Sequence, residues 1–163
     1  MRVEAEWVYE LRADLPARAT PYSAAEVLAR VVSVRAAIEV CDTRFAAWAQ
    51  QGEWSRLADQ ACHGALIVGT GTDEVATAQP LAQAVTLSVN GAVAVQHATW
   101  GNPAGDPLRL LVWLANEGAR SLGGLRAGHW VTTGSCTGTV LVAPGAEVVA
   151  DFPGLGQAVL RLR

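Results

Sequence analysis

Residues 128–162 read GHWVTTGSCTGTVLVAPGAEVVADFPGLGQAVLRL. Three apolar runs, 130–133, 139–142 and 148–152, are separated by Gly134-Ser135, Ala143-Pro144-Gly145 and Pro153-Gly154. β-Branched residues punctuated by Gly and Pro spell strands joined by tight turns. Within the first break, Thr133 and Ser135 flank Gly134. A corner of this type can present hydroxyls and backbone N–H groups to an anionic oxygen. It can equally be a Gly-rich β-turn with solvated hydroxyls.

Outward from this corner, residues 3–11 (VEAEWVYEL) alternate. Val3, Ala5, Trp7 and Tyr9 share one parity, and Glu4, Glu6, Val8 and Glu10 the other. A strand places i and i+2 on one face, so Glu4 and Glu6 project together, roughly 7 Å apart along the strand. Like charges at that spacing repel unless a cation or solvent separates them. A solvated edge-strand face is the alternative, and Glu10 on the same parity favours it. Ser23 with Glu26 forms a capping-box pattern and opens a helix expected over 24–35. Residues 36–41 (AAIEVC) read as a strand entering the core, with Glu39 as its one charge. A carboxylate in an apolar strand is costly unless paired or metal-bound.

Residues 45–57 read as partly helical, 58–64 as a loop, and 65–69 as a strand. Asn90-Gly91 between 81–89 and 92–96 is a hairpin signal. Residues 97–107 form a Gly/Pro-rich loop, and 108–119 an apolar helix. Strand, helix, strand, helix and then mostly strands give an α+β class, with a mixed, curved β-sheet roll or sandwich and flanking helices in one domain over 1–163.

Composition narrows the function. Of 163 residues, 51% are hydrophobic, enough for a real core. No apolar run reaches the roughly 18 residues of a membrane span, and the acidic start is unlike a signal peptide. The expectation is a soluble, cytoplasmic protein with no membrane partner. The net charge of −3 is scattered, which argues against a nucleic-acid partner. All twelve basic residues are Arg, so Schiff-base and Lys general-base chemistry are excluded for this chain. Cys41, Cys62 and Cys136 show no CxxC spacing and read as reduced structural thiols. Six Trp residues point to a subunit interface and a homo-oligomer.

If the strands bearing Glu4, Glu6 and Glu39 are neighbours, their carboxylates converge on a hard divalent cation, Mg²⁺ or Mn²⁺. Among the remaining groups, Asp59 is the carboxylate best placed to orient a water or an Arg. Adjacent Cys62 and His63 would point to opposite strand faces, which disfavours a nucleophile–base pair.

Several of these stretches resemble the fumarylacetoacetate hydrolase superfamily, in its 2-keto-4-pentenoate hydratase / 4-oxalocrotonate decarboxylase branch. TTGSCTG, APG and ADFPGLG resemble the C-terminal end of that branch, and WLANEGARSLGGLRAGHWV the helix and turn before it. Glu4-Ala5-Glu6 matches its E-x-E motif. Residues 37–44, Ala-Ile-Glu-Val-Cys-Asp-Thr-Arg, match its A-x-E-I/V-x-D-S/T-R motif. LADQACHGALIVG resembles its LADN-type loop and following strand, with Gln60 in place of Asn.

The resemblance implies that Glu4, Glu6 and Glu39 bind Mg²⁺ or Mn²⁺, that Thr133, Gly134 and Ser135 hold substrate oxygens, and that the substrate is a small 2-oxo acid. Asp59 and Ser135 are the candidate catalytic residues. The branch also carries an N-terminal cap and a GYK-type motif whose Lys serves the active site. Here the sequence opens almost at E-x-E and contains no Lys. The implied function is a metal-dependent, hydratase-like lyase. The alternative is a catalytically weak binding or assembly subunit, with a partner chain supplying the cap.

Overall fold

The structure, a computed structural model, describes residues 1–99 and 101–163. Trp100, within the expected loop 97–107, lies outside the described residues. In chain order the elements are β1 (Arg2–Leu11), β2 (Leu15–Pro16), α1 (Ala24–Leu28), β3 (Val31–Cys41), α2 (Glu53–Ala58), β4 (His63–Thr72), β5 (Val85–Val89), β6 (Ala92–His97), α3 (Pro107–Trp113), β7 (Gly124–Leu125), β8 (Trp130–Ser135), β9 (Val140–Leu141), β10 (Glu147–Phe152) and β11 (Gly156–Arg161). One sheet runs β4-β3-β1-β8, with β9 also on β1; a second runs β11-β10-β5-β6; β2 and β7 make a small ribbon. The expected α+β roll stands, with one refinement. Every pairing among the described strands is antiparallel, where a mixed sheet was expected.

The parity read for the first strand decides what it buries. Val3, Ala5, Trp7, Tyr9 and Leu11 all lie in the core, where Trp7 and Tyr9 meet edge to face at 6.5 Å. They pack against Leu87 of β5, Val148, Ala150 and Phe152 of β10, and Leu111 of α3, in one hydrophobic cluster. Each large side chain so buried contributes about 1.5–3 kcal/mol. β1 is no edge strand. It has β3 on one side and β8 and β9 on the other. On its second face Glu6 and Val8 are buried as well, at 1% and 0% exposed. The solvated-face reading fails at Glu6.

Ser23 and Glu26 form the expected capping box, but the helix ends at Leu28 instead of continuing to residue 35. Val31, Val32 and Val34 are β-branched and fit a pleated surface better than a helix. With β1 as partner they extend the expected strand 36–41 back to Val31. Asn90 and Gly91, at φ +51° and +78°, turn the β5–β6 hairpin as expected.

The two sheets touch through glycine. A Cβ on Gly69 of β4 would lie 2.2 Å from the Gln157 carbonyl oxygen and 2.6 Å from Ala158 Cα of β11. Thr70 ties the same crossing, its Oγ1 accepting from Gln157 N at 2.9 Å. Because only backbone could yield, Gly69→Ala is expected to cost about 2–4 kcal/mol. A denaturant melt against Gly52→Ala, whose Cβ meets nothing within 4 Å, checks this. Equal midpoints for the two variants would refute it.

Candidate metal centre

In the β1–β3 ladder Glu4 faces Glu39, and Glu6 faces Ala37 two rungs on. Directly opposed residues of an antiparallel pair share a face, so all three carboxylates rise from the same side of the sheet. The expected trio is therefore brought together by register alone. Burial pushes the Glu6 carboxyl up to about 8, helped by the negative charge of Glu39 and a hydrogen bond between the two carboxyls. Glu4 is raised for the same leading reasons, burial and then the charge of Glu39, while a hydrogen bond from Ser135 opposes the shift. No Arg forms an ion pair with any of the three among the described residues. Glu39 is bonded to His63, with Nδ1 2.8 Å from Oε1. Oxygen donors crowded together with surplus negative charge fit a hard divalent cation.

The corner acts on this cluster from β8. Glu6 pairs with Ser135, yet Val8 pairs with Thr132, so β8 carries one extra residue there. Gly134 takes up the bulge at φ +88°, a conformation that favours glycine. The bulge turns its N–H onto Glu6 Oε2 at 3.1 Å. Thr133 goes the other way. It is buried, and its hydroxyl donates to the Trp7 carbonyl at 3.1 Å. The hydroxyl of Thr133, expected to hold a substrate oxygen, thus spends its donor on holding β8 to β1. Gly134 and Ser135 remain at the cluster, and Ser135 Oγ also accepts from Thr137 N at 3.3 Å. Asn102 steadies the corner, its Nδ2 donating to the Thr133 and Gly134 carbonyls at 2.7 and 3.0 Å.

Asp59 stands in a separate network. Its carboxylate accepts from Thr43 Oγ1 at 2.6 Å, and from Arg44 N and Nη1, each at 3.2 Å. The Thr43 hydrogen bond holds it below the usual carboxylate range. Of the two partners expected for it, a water or an Arg, the one found among the described residues is Arg44.

Two residues of the cluster are not marked by the sequence. Cys41 reads there as a structural thiol, but its Sγ and single carboxylate oxygens of Glu4 and Glu39 all lie within 4.8 Å of one another. His63 reads there only as the neighbour of Cys62, yet it reaches Glu39. The parity of 39 and 41 on one strand was the available signal for Cys41; His63 needed the β3–β4 register. A cavity of about 620 Å³ lined by Arg2, Thr43, Trp48, Cys62 and Thr139 shares Cys41 with the cluster.

The profile of the fumarylacetoacetate (FAA) hydrolase C-terminal family matches residues 2–163. The chain belongs to this family. It is 32% identical over 159 residues to a 2-keto-4-pentenoate hydratase from Burkholderia vietnamiensis (strain G4 / LMG 22486), an alignment covering 96% of this chain and 58% of that protein. Among solved structures it is similar to 4-oxalocrotonate decarboxylase from Pseudomonas putida G7 complexed with magnesium and adipate. The TM-score is 0.84 at 28% identity, over 98% of this chain and 59% of that one. The same decarboxylase complexed with calcium and acetate matches at TM-score 0.81, with the same identity and coverage. The chain thus spans under two thirds of the length of these relatives. These likenesses support the hydratase/decarboxylase branch. No helix among the described residues is long and apolar enough to cross a membrane.

Proposed function

We propose that this FAA hydrolase-family chain carries the cation centre of a divalent-metal-dependent lyase acting on small 2-oxo acids, hydratase-like in its reaction. The observation that supports it most is the convergence of Glu4, Glu6 and Glu39 on one face of β1 and β3, under the N–H of Gly134. The decarboxylase relative's complex with magnesium and a dicarboxylate supports the same reading. Mg²⁺ or Mn²⁺ held by these carboxylates supplies Lewis acidity toward the carboxylate and keto oxygens of a 2-oxo acid.

The chain's own groups do the rest. Glu6, protonated at neutral pH without a cation, gives up that proton when a cation binds. Its carboxylate stays aimed by the Gly134 N–H. Ser135 lies at the edge of the cluster, with a hydroxyl able to turn from Glu4 to a substrate oxygen. Asp59 holds Thr43 and Arg44 beside the cavity and acts as a positioning residue. The cavity accommodates the part of the substrate beyond its keto acid end. Exposed Trp54 and Trp113, 79% and 58% accessible, are consistent with a homo-oligomer.

The test is turnover of 2-hydroxydienoate enols by the purified chain, followed by loss of their ultraviolet absorbance, with Mg²⁺ or Mn²⁺ and then with excess EDTA. Cation-dependent turnover is the expected result. Cation binding with no turnover of any 2-oxo acid would overturn it in favour of a binding or assembly subunit.

A further inference from the structure

The carboxylates of the centre are oxygen donors of the kind that suits magnesium and calcium, the ions in the decarboxylase relative's structures. Cys41 does not belong to that chemistry. It sits two residues beyond Glu39 on the same face of β3, two rungs from the Glu4–Glu39 pair, and faces Arg2 across the ladder. Its sulfur is half-buried and is not joined to either of the other cysteines in a disulfide. The three-atom group formed with Glu4 and Glu39 spans no more than 4.8 Å. Divalent ions hold oxygen and sulfur at about 2.0–2.3 Å, so donors on opposite sides of one ion stand about 4–4.6 Å apart. Closing the group onto a single ion therefore needs only side-chain adjustment.

We propose that Cys41 is a direct donor to the cation centre, giving this chain a mixed carboxylate–thiolate site that favours thiophilic divalent ions, cobalt and zinc, over magnesium. The inference rests on the cation centre proposed above and deepens it. Thiolate is a soft ligand that magnesium does not select, while cobalt and zinc take carboxylate and thiolate together. His63, bonded to Glu39, adds the outer contact that fixes a ligand's orientation in such sites.

A second thiol stands close to Cys41. Cys62 lies against it across the cavity wall, on a segment where Gln60, Ala61 and Cys62 all have positive φ. Cys62 is outside the Glu4–Glu39–Cys41 group, and it serves as the control thiol.

The experiment loads the metal-free chain, kept in a non-thiol reductant, with Co²⁺. It records the near-ultraviolet thiolate-to-cobalt charge-transfer band and titrates Co²⁺ and Mg²⁺ by calorimetry. Wild type, C41S, C41V and C62S are compared. C41V keeps an apolar group of similar size, so loss of folding in C41S does not decide the result. The expected outcome is a band in wild type and C62S that is absent in both Cys41 variants. Co²⁺ affinity should fall about tenfold or more in those variants, because even an outer-shell partner of a metal ligand is worth 10–100-fold. Mg²⁺ affinity should stay within about twofold, since Mg²⁺ selects oxygen donors. Co²⁺ binding with no band, or a band that survives in C41V, overturns the proposal and leaves the carboxylate centre intact. Failure of every ion to bind overturns both.

Discussion

Glu39→Gln is expected to abolish the rise in melting temperature that Mg²⁺ gives the wild-type chain, while making the cation-free protein no less stable. The two halves of this result have one cause. Glu39 faces Glu4 across the ladder and shares a hydrogen bond with Glu6, and its negative charge raises the carboxyls of both. Without a cation that charge is a liability, and a neutral amide of the same shape relieves it while keeping a partner for His63. In the proposed cation centre the same charge becomes one of the donors that a cation neutralises. At 100 times its dissociation constant a ligand stabilises by about 2.7 kcal/mol, which for a domain of this size is about 5–10 °C. A calorimetric scan of both proteins in EDTA and in saturating Mg²⁺ reads the two halves together. An undiminished Mg²⁺ response in Glu39→Gln would remove the cation centre from this face. A large drop in its EDTA melting temperature would mean that Glu39 serves the fold instead.

The parts of this centre that could be read without coordinates are those governed by a two-residue period. Glu4 and Glu6 share a face because any strand places them so. The expected convergence with Glu39 required the second strand to be a neighbour, in a register that sets Glu39 on the same face. Thr133 shows the limit of that reasoning. Strict alternation would put Thr133 and Ser135 on one face, yet the bulge at Gly134 separates them, sending one hydroxyl to Trp7 and leaving the other by Glu4. A glycine in the sequence marks a site where a bulge is allowed, but the choice of inserted residue is made by the partner strand. The helix expected over 24–35 failed for a related reason. Its capping box is local and formed as read, whereas Val31 to Arg35 were drawn into β3 by β1, a partner about twenty-five residues away in the chain. Burial of Glu6 was equally invisible, because it depends on what covers the second face of β1.

Between pH 5 and pH 8 the cation-free chain is expected to lose stability as pH rises, and Glu6→Gln to remove most of that slope. Glu6 ordinarily titrates at 4.5 and is raised to about 8 in the folded chain, through burial and then the charge of Glu39. Between those values the folded chain keeps a proton that the unfolded chain has released. Stability tied to this proton is therefore fully present below 4.5 and is lost as pH climbs through 8. The whole span corresponds to roughly 3–5 kcal/mol, or about 10 °C in melting temperature. Glu4 shifts in the same direction, so a residual slope should remain in the variant. A cation that takes the place of the proton reverses the trend: its stabilising effect should be small at pH 5 and grow toward pH 8. Thermal melts of wild type and Glu6→Gln across this range, with EDTA and with Mg²⁺, separate these terms. An amide at position 6 still accepts from the Gly134 N–H, so the corner is preserved in the variant. If Glu6→Gln declined as steeply as wild type in EDTA, the proton would have to sit elsewhere, and Glu6 could not be the carboxyl whose proton a cation displaces.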